Sequence, residues 1–415
     1  MRILWLTGSL LPRGAALLRR SVPLGASWTE SLCSDLLREG AHELLAFCRS
    51  DSYARASEGA FTIRTFEQPM QRYSERNEAL FFEALTAFCP DVIHIFGTEY
   101  PHTLAMLRAA ERAGLLGRTV VSIQGLCSVI AGHYLLGLPP QIWRRKTLRD
   151  VLRGDCLLQQ KKAFAARGAF ETEALRLARH VAGRTDWDLS CTRRINPALT
   201  YHPLGEGMRA PFYAGRWTPG GCARHTLFLP QGDYPVKGMH FALEALALLK
   251  RTFPDVRLLT TGQDPRKTGW RRTYYQKYLA DRIAALDLAA HVSFLGALDA
   301  DGMKAQFLSA NAVISTSTVE NSPNGVAEAM LLGAPVVSSM VGGVASMLTH
   351  GQDGFLYPAD APYLLAHYVS LLFGDDALAE RLSEGARSRA AKTHDRAAIL
   401  LQLTEIYGQL AGGDA

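Results

Sequence analysis

The sequence predicts an α/β protein of two domains, each built around a parallel β-sheet. The chain has 415 residues, which is too long for one ordinary hydrophobic core and about right for two domains. Short apolar, β-branched runs alternate with helical patterns, as in parallel sheets whose strands are joined by crossover helices. The segment 196–213 is rich in Pro and Gly and has no clean period, which predicts a linker between the domains.

The first domain is predicted to begin with strand 3–7, which turns at Gly8. In a doubly wound domain a glycine at this turn lets the backbone approach a phosphate, although an ordinary turn explains it equally well. The other elements predicted for this domain are strands at 42–48, 91–96 and 120–123, helices at 28–39, 77–89 and 171–182, and a loop at 183–188.

The second domain is predicted to contain the same alternation. Its strands are expected at 226–230, 256–261, 292–295, 313–316 and 335–338, and its helices at 239–251, 275–286, 303–309, 361–373 and 377–391. A last helix is expected at 396–410.

The stretch 313–340 predicts a strand, a loop, a helix and a second strand, which make one right-handed parallel crossover. Asn321 or Ser322 is predicted to cap the helix, with Pro323 at the first helical position. Gly333 is predicted to end it. In such a unit a ligand binds beyond the carboxyl ends of the strands, where the helix begins.

The amino end of this helix is predicted to bind an anion. The backbone N–H groups of Asn324, Gly325 and Val326 have no intrahelical partner there, and the helix dipole adds roughly half a positive charge. Glu320 and Glu328 bracket the turn and can hold two different ends of one extended ligand. A ligand that suits this arrangement has hydroxyl groups at both ends and phosphate in the middle, as a nucleotide sugar does.

The spacing Glu320-x7-Glu328, with Ala329-Met330 and the sequence GAPVV at 333–337 behind it, resembles the donor site of the retaining glycosyltransferases of family 4. These enzymes have the GT-B fold. The resemblance covers nearly the whole chain and is strongest between residues 227 and 358.

The resemblance implies two Rossmann-like domains that face each other across a cleft. Residues 1–205 are then the acceptor domain and 206–395 the nucleotide-sugar donor domain. The segment 396–415 is expected to be a helix that crosses back to the first domain.

The resemblance also implies roles for single residues. In the family the first glutamate faces the sugar hydroxyls and the second faces the ribose hydroxyls, which gives these roles to Glu320 and Glu328. Gly296 ends a strand whose exit lies beside the nucleotide base in the family. The donor-binding residues predicted in this way are Gly8, Lys237, Gly296, Glu320, Ser322, Asn324, Gly325, Val326 and Glu328.

Lys237 stands just before helix 239–251, where its ammonium can meet a diphosphate opposite the helix amides. The family usually has an arginine five residues earlier to share the diphosphate charge, and this chain has Gly232 there. Arg266 and Arg209 are candidates to supply the missing cation.

Gln124 follows strand 120–123, where many family members have a histidine that touches the donor sugar or the acceptor. A glutamine cannot take a proton near neutral pH, which weakens any mechanism that needs a base at this point. His133 in the loop beyond is a candidate replacement on the acceptor side, although a loop histidine without a role is the commoner case. The predicted catalytic residues are Glu320, Lys237 and Gln124.

Three further residues are candidates for the acceptor side. His102 follows the segment GTEYP, which resembles the family's loop into a helix, and Arg184 and Trp187 lie in the 183–188 loop, which resembles a segment lining the cleft. A structural salt bridge and a packed ring explain Arg184 and Trp187 as well. His94, inside strand 91–96, is predicted to be a core histidine.

The charge of the chain is concentrated in one segment. Residues 141–170 hold eight basic and two acidic side chains, an excess that equals the net charge of +6 for the whole chain. Apolar residues interleave with these bases, which predicts an amphipathic helix. Such a helix fits an anionic membrane surface and the solvated face of an ordinary surface helix equally well. Nucleic acid is disfavoured because no known binding module is present.

Composition and cysteine usage predict a globular protein that is cytoplasmic or peripheral on the inner face of the membrane. Apolar residues make up 48% and charged residues 20% of the chain. The seven scattered cysteines favour a reducing compartment and argue against a zinc site. The first residues are predicted to be a strand and not a signal peptide, and no run approaches the ~20 apolar residues of a membrane span.

The leading hypothesis is therefore a retaining, metal-independent hexosyltransferase. It would use a UDP- or GDP-linked sugar as co-substrate, need no other cofactor, and act on a free or lipid-linked glycan in bacterial surface polysaccharide synthesis. Two alternatives remain open: a nucleotide-sugar 2-epimerase of the same fold, and a non-catalytic GT-B partner protein, which Gln124 and Gly232 would favour.

Overall fold

The computed structural model describes residues 1–21 and 28–412, and their contacts divide the chain into two compact units. Unit 1 comprises Met1–Val129, Ala163–Met208 and His394–Ala415, and unit 2 comprises Ile130–Lys162 and Arg209–Thr393. The segment 130–162, expected in the first domain, thus clusters with unit 2.

The strands are short and mostly buried. They are β1 (Arg2–Thr7), β2 (Glu43–Arg49), β3 (Ala54–Glu58), β4 (Phe61–Phe66), β5 (Val92–Phe96), β6 (Thr119–Ser122), β7 (His180–Gly183), β8 (Thr200–Pro203), β9 (Ala223–Leu229), β10 (Arg257–Thr260), β11 (Val292–Phe294), β12 (Ala310–Ser315), β13 (Val336–Ser339) and β14 (Phe355–Tyr357).

The helices separate most of these strands along the chain. They are α1 (Pro12–Leu17), α2 (Trp28–Arg38), α3 (Glu75–Phe88), α4 (His102–Arg112), α5 (Cys127–His133), α6 (Pro140–Trp143), α7 (Leu148–Arg153), α8 (Leu157–Leu177), α9 (Asp186–Ile195), α10 (Met239–Leu249), α11 (Tyr274–Ala285), α12 (Ala300–Ser309), α13 (Asn324–Leu332), α14 (Val344–Met347), α15 (Pro362–Gly374), α16 (Asp376–Thr393) and α17 (Arg396–Gly412).

Unit 1 is an eight-stranded sheet in the order β3-β4-β2-β1-β5-β6-β7-β8. Every pair of neighbours is parallel except β3 and β4. Helices α2 and α17 contribute to the apolar cluster on one face, and α3, α4 and α8 contribute to the cluster on the other. Both faces are therefore covered, as a parallel sheet requires.

Unit 2 is a six-stranded parallel sheet in the order β11-β10-β9-β12-β13-β14. This is the strand order of a Rossmann domain. The order reverses between β9 and β12, so the loops that leave these two strands run in opposite directions across the sheet. The predicted α/β class with two parallel-sheet domains is confirmed.

Three local predictions in unit 1 are wrong. Helix α8 begins and ends earlier than the predicted helix 171–182, because residues 180–183 form strand β7. The predicted loop 183–188 contains the start of α9, where the Thr185 side chain accepts a hydrogen bond from the Asp188 amide and caps the helix. The predicted linker 196–213 does contain the boundary between the two units, after Met208, but part of it is strand β8, which pairs with β7.

The basic segment 141–170 is not one amphipathic helix. It is divided among α6, α7 and the first part of α8. Helix α7 stops at Gly154, whose φ of 64° places it in the left-handed region that glycine adopts without strain. Within the described residues, no helix is long and apolar enough to cross a membrane.

A buried hydrogen-bond chain joins the last helix to the sheet of unit 1. The indole Nε1 of Trp5 donates to the hydroxyl of Tyr407 over 2.9 Å, and that hydroxyl lies 2.6 Å from Nδ1 of His94. Because Trp only donates, the tyrosine hydroxyl donates onward to Nδ1, and His94 Nε2 then donates to Ser122 Oγ at 2.7 Å. Burial lowers the pKa of His94 to about 3, so this histidine is a neutral core residue.

We expect Tyr407→Phe to lower the free energy of unfolding of unit 1 by about 2–4 kcal/mol, because the indole N–H and the imidazole Nδ1 lose their shared partner while remaining buried. Denaturant unfolding followed by tryptophan fluorescence measures this loss. The matched control is Tyr53→Phe, at an exposed tyrosine of the same unit. Equal free energies of unfolding for the two variants would show that these hydrogen bonds do not stabilise the packing of helix α17 on the sheet.

Candidate functional site

The candidate site lies at the point where the strand order of unit 2 reverses. Strands β9 and β12 are neighbours there, and the loops 230–238 and 316–323 leave their carboxyl ends. In open α/β sheets such a reversal leaves a crevice in which ligands bind. Both loops carry the residues that the sequence singled out.

Backbone hydrogen bonds tie these two loops together. The amide of Thr318 donates to the carbonyl of Val236 over 2.8 Å, and the hydroxyl of Thr316 donates to the carbonyl of Lys237 over 2.8 Å. Gly238 has a φ of 67°, and a Cβ there would lie 1.8 Å from the carbonyl oxygen of Thr316. The close approach of the loops therefore requires glycine at 238.

Lys237 and Glu320 form an ion pair across the two loops. Nζ of Lys237 lies 2.5 Å from Oε1 of Glu320, and the hydroxyl of Ser317 donates to the same oxygen over 2.7 Å. Burial opposes the charge of Lys237, but attraction to Glu320 and to Tyr234 outweighs it and raises the pKa of the ammonium. The ion pair and the Ser317 hydroxyl thus fix the two side chains in one place.

The loop that contains Gly342 and Gly343 contacts the backbone of Glu320. The amide of Gly343 donates to the carbonyl of Glu320 over 3.0 Å. Gly342 has a φ of 53°, and a Cβ on it would lie 1.8 Å from that carbonyl oxygen. The position of Glu320 therefore depends on the absence of a side chain at residue 342.

Helix α13 begins one residue later than predicted, at Asn324, and its cap differs. Pro323 occupies the capping position, so neither Asn321 nor Ser322 caps the helix with its side chain. The amide of Val326 donates to the carbonyl of Pro323 over 2.9 Å, so it is not available to an anion as predicted. Within the part of the chain that the structure describes, the amides of Asn324 and Gly325 donate to no acceptor.

Glu328 lies one turn into this helix and is held by Arg209. Nε and Nη2 of Arg209 donate to the two carboxylate oxygens over 2.8 and 2.9 Å. The glutamate is only 3% exposed, so its charge needs such a bidentate partner. The guanidinium also lies over the ring of Phe212, 4.8 Å from its centroid.

The two cations expected to compensate for Gly232 are already engaged. Arg209 pairs with Glu328, and Arg266 forms an ion pair with Asp264 at 2.8 Å while donating to the carbonyl of Ala289. Lys237 is also paired, with Glu320, and it lies in the loop that leaves β9 at the reversal point. A Cβ built on Gly232, in the same loop, would lie close to neighbouring side chains.

Gly296 lies on the same edge of the sheet, after β11. Its amide and carbonyl exchange hydrogen bonds with Gly262, which follows β10, at 3.2 and 2.9 Å. Both glycines have positive φ, and no atom lies within 4 Å of a Cβ built on Gly296. The contact of Gly296 with a nucleotide base stays a prediction.

In unit 1, the strand order reverses between β1 and β5, where Gly8 and Tyr100 meet. The carbonyl of Gly8 accepts a hydrogen bond from Nε of Arg49 over 3.1 Å, and the Arg49 guanidinium lies over the ring of Tyr100. His102 stacks on Tyr100 and packs against Phe66. Burial, followed by the charge of Arg49, lowers the pKa of His102 to about 3, so it is a neutral buried side chain.

Sequence reasoning missed Glu99, which lies beside Gln124. A Cβ built on Gly97 would lie 2.3 Å from Oε2 of Glu99 and 3.5 Å from Oε1 of Gln124, so both side chains lie against Gly97, near the ends of β5 and β6. Burial raises the pKa of Glu99 to about 7, with backbone donors opposing and the charge of Glu171 adding to the shift. No sequence motif marks this residue, because the shift arises from burial.

Arg184 has the structural role that the sequence left open. Its guanidinium pairs with the buried Glu206 at 2.5 Å and donates to the carbonyl of Ile123. Trp187 packs against the apolar cluster of unit 1.

His133 belongs to unit 2, and its backbone carbonyl accepts a hydrogen bond from Thr318 in the loop before Glu320. His133 was predicted to replace the family histidine that is missing at position 124, but the two positions lie in different units. Within residues 1–21 and 28–412, no group of three or more His, Cys, Asp and Glu side chains is arranged to hold a metal ion.

Comparison with known proteins adds a family match to this geometry. Residues 227–389, which include Lys237, Glu320 and Glu328, match the family model described as Glycosyl transferases group 1. The phosphatidyl-myo-inositol mannosyltransferase of Mycobacterium tuberculosis is 33% identical over 196 residues, covering 46% of this chain and 48% of the relative. The chain spans about half the length of the curated relatives it matches.

Solved structures share the fold of nearly the whole chain. Sucrose-phosphate synthase from Thermosynechococcus elongatus has a TM-score of 0.71 over 99% of each chain at 16% identity. HepE from Anabaena in complex with UDP-glucose has a TM-score of 0.65 over 99% of this chain and 100% of that one at 20% identity. At these identities the likeness concerns the fold, and the predicted GT-B type of two Rossmann-like domains is confirmed.

We expect Gly342→Ala to displace the Glu320 loop, because the added Cβ would overlap the carbonyl oxygen of Glu320. Calorimetric titration with nucleotide sugars should show binding weakened about tenfold or more, since a hydrogen bond to a charged group contributes about 1.5–3 kcal/mol. Gly351→Ala is the control. It has a similar positive φ of 75° but no atom within 4 Å of the new Cβ, so equal losses in both variants would contradict the placement of Glu320 by Gly342.

We expect Glu99 to make the stability of unit 1 depend on pH. The raised pKa of about 7 means that the folded protein keeps a proton that the unfolded chain loses near 4.5, so this stabilisation is complete below about pH 4.5 and is lost as pH rises to about 7. In denaturant unfolding measured at a series of pH values, Glu99→Gln should remove the fall in the free energy of unfolding between about pH 4.5 and about pH 7. Glu111→Gln, at an exposed position of the same unit, should leave that fall unchanged. Unchanged pH dependence in Glu99→Gln would refute the shift.

Proposed function

We propose that the chain is a retaining glycosyltransferase of family 4 that moves a hexose from a nucleotide-diphosphate sugar to a glycan acceptor. The observation that carries this proposal is the Lys237–Glu320 ion pair, fixed at the reversal point of unit 2 in front of the amino end of helix α13. The family match of residues 227–389 supports it.

The donor is expected to lie along the edge formed by these groups. The diphosphate would bind to the ammonium of Lys237 and to the amides of Asn324 and Gly325, because both supply positive charge and hydrogen-bond donors. Glu320 would accept hydrogen bonds from the sugar hydroxyls. Glu328, oriented by Arg209, would accept hydrogen bonds from the ribose hydroxyls through the lone pairs that the guanidinium leaves open.

The reaction needs charge stabilisation more than a strong base. The bond between C1 of the sugar and the diphosphate oxygen breaks, and the negative charge that grows on that oxygen is neutralised by Lys237 and the helix amides. The acceptor oxygen forms the new bond to C1 on the same face, and its proton passes to the departing phosphate. No metal ion is required in this scheme.

Unit 1 is proposed to contact the acceptor. Gln124 and Glu99 lie together above the ends of β5 and β6 and can bind acceptor hydroxyls. His133 remains an acceptor-side candidate through its exposed side chain on unit 2. His102 is buried between Tyr100 and Phe66, so we assign it no contact with the acceptor. For Arg184 and Trp187 the observed ion pair and packing favour structural roles.

The acceptor is proposed to be a bacterial surface glycan, free or attached to a lipid, handled on the cytoplasmic side of the membrane. The mannosyltransferase relative, by its name, uses a phosphatidylinositol, which supports a lipid-linked acceptor as the first class to test. UDP-glucose, the ligand in the HepE complex, is the first donor to test, followed by GDP-linked sugars.

Glu99 also keeps the 2-epimerase alternative open. That activity needs acidic residues of both domains directed at the sugar, and Glu99 is a carboxyl group of unit 1 whose pKa of about 7 suits proton transfer. The two activities give different products. Release of free sugar and nucleoside diphosphate from one donor in the absence of acceptor supports the transferase, and interconverted sugars support the epimerase. No turnover of any donor would support a non-catalytic partner protein.

We expect Lys237→Met and Glu320→Gln each to reduce turnover of the preferred donor about 10- to 100-fold, because each removes a charge-assisted hydrogen bond from the ligand. Slow hydrolysis of the donor, followed by chromatography of the released nucleotide, measures the loss. The control is Lys250→Met, which removes a lysine paired with Asp287 on the surface of the same unit. Full turnover in Lys237→Met would remove the basis of the proposal.

A further inference from the structure

Two separate segments of unit 2 form one exposed surface, which we call the basic apolar patch. It consists of residues 144–153, which include helix α7, and residues 267–271. The three most exposed large apolar side chains of the described residues are all in it, namely Leu152 at 72% and Leu148 and Trp270 at 65%. Val151 is 62% exposed beside them.

The two segments are joined by hydrogen bonds, so the patch is a built surface. The hydroxyl of Thr147 donates to the carbonyl of Arg272 over 2.9 Å. The buried carboxylate of Asp150 accepts from the amide of Tyr274 over 2.9 Å and from the amide of Thr147 over 3.1 Å. Asp150 thus completes the capping box that Thr147 begins at the start of α7, and it also fixes the neighbouring segment.

The charge of the patch is positive because Asp150 is the one acidic residue of its two segments, and the acidic residues just outside them, Asp155 and Asp264, are paired with arginines. Arg149 lies 3.2 Å from the carboxylate of Asp150 and 2.7 Å from that of Asp155, and Arg266 neutralises Asp264. The remaining cations of the two segments have exposed side chains, and they are Arg144, Arg145, Lys146, Arg153, Lys267 and Arg271. Exposed leucine and tryptophan side chains surrounded by cations are the combination found on helices that lie in a membrane interface.

We propose that the basic apolar patch docks unit 2 onto an anionic lipid bilayer. Leu148, Val151 and Leu152 would enter the boundary between headgroups and acyl chains, Trp270 would lie at headgroup level, and the cations would contact lipid phosphates. A solvated helix face accounts for the cations but not for four large apolar side chains that are each more than 60% exposed. Of the basic segment 141–170, the proposed docking surface uses only residues 144–153. It adds Trp270, which lies far away in sequence.

Buried contacts connect the patch to the loop that carries Lys237. Tyr275, in the helix whose first amide binds Asp150, has its hydroxyl 3.1 Å from Nδ1 of His240. His240 is the second residue of α10, three residues after Lys237, and its Nε2 lies 3.1 Å from the carbonyl of Leu136. The docked patch would therefore hold the donor loop at a fixed distance from the lipid surface. This last step rests on the proposed function, and the docking itself does not.

Cosedimentation with vesicles tests the docking. Vesicles of phosphatidylcholine are compared with vesicles in which part of this lipid is replaced by anionic phosphatidylglycerol. We expect binding to the anionic vesicles only, weakened by added salt. Substituting Arg144, Lys146 and Arg153 together by Gln should weaken binding about fivefold for each cation removed. Leu152→Ser combined with Trp270→Ser should abolish the part of the binding that persists at high salt.

Matched variants of unit 2 separate the patch from general charge and apolarity. Substituting the exposed Arg251, Arg381 and Lys392 by Gln removes the same charge, and Tyr363→Ser removes an aromatic ring that is 63% exposed; neither should change vesicle binding. Nucleotide-sugar titration in solution checks each variant independently, so failure of docking is distinguished from failure of the proposed function. Binding that is equal on neutral vesicles, binding that survives the patch variants, or a patch-dependent dimer in light scattering without vesicle binding would overturn the proposal.

Discussion

The adjacency of strands β9 and β12 in unit 2 is the constraint on which the candidate site depends. The two strands are separated by 80 residues of chain, yet they pair in one sheet, and the loops that follow them leave the sheet at the same edge. The bond from Thr318 to Val236 and the close contact of Gly238 with Thr316 then bring Lys237 and Glu320 into an ion pair. Neither side chain could be fixed in this way by its own loop.

Both carboxylates of the Glu-x7-Glu motif are paired with cations from distant parts of the chain. Glu328 is buried one turn into α13 and requires the bidentate contact with Arg209, because an unpaired charge in that position would be strongly unfavourable. Glu320 is less buried and shares one oxygen between Lys237 and Ser317. The motif therefore consists of two oriented ion pairs, and the cations decide which lone pairs remain for a ligand.

The same rule shapes the basic apolar patch. Asp150 is buried and joins α7 to the start of α11, and Arg149 compensates its charge, so the other cations of the patch remain available to an anionic surface. The patch is assembled from residues more than 110 positions apart. Charge counting along the chain finds the basic segment but cannot find Trp270, because that contact exists only after folding.

The sequence by itself determined the α/β class, the crossover 313–340 and the end of α13 at Gly333, because these follow from local periodicity and from the conformations that Gly and Pro allow. It also singled out Lys237, Glu320 and Glu328. It did not determine strands β7 and β8, which are too short to show a period and are stabilised by pairing with their neighbours.

Only the tertiary structure decided which groups meet: Arg209 with Glu328, Glu99 with Gln124, and segment 130–162 with unit 2. The physical reason is that burial and pairing between distant residues set the charge, the pKa and the orientation of a side chain, and local sequence does not encode them.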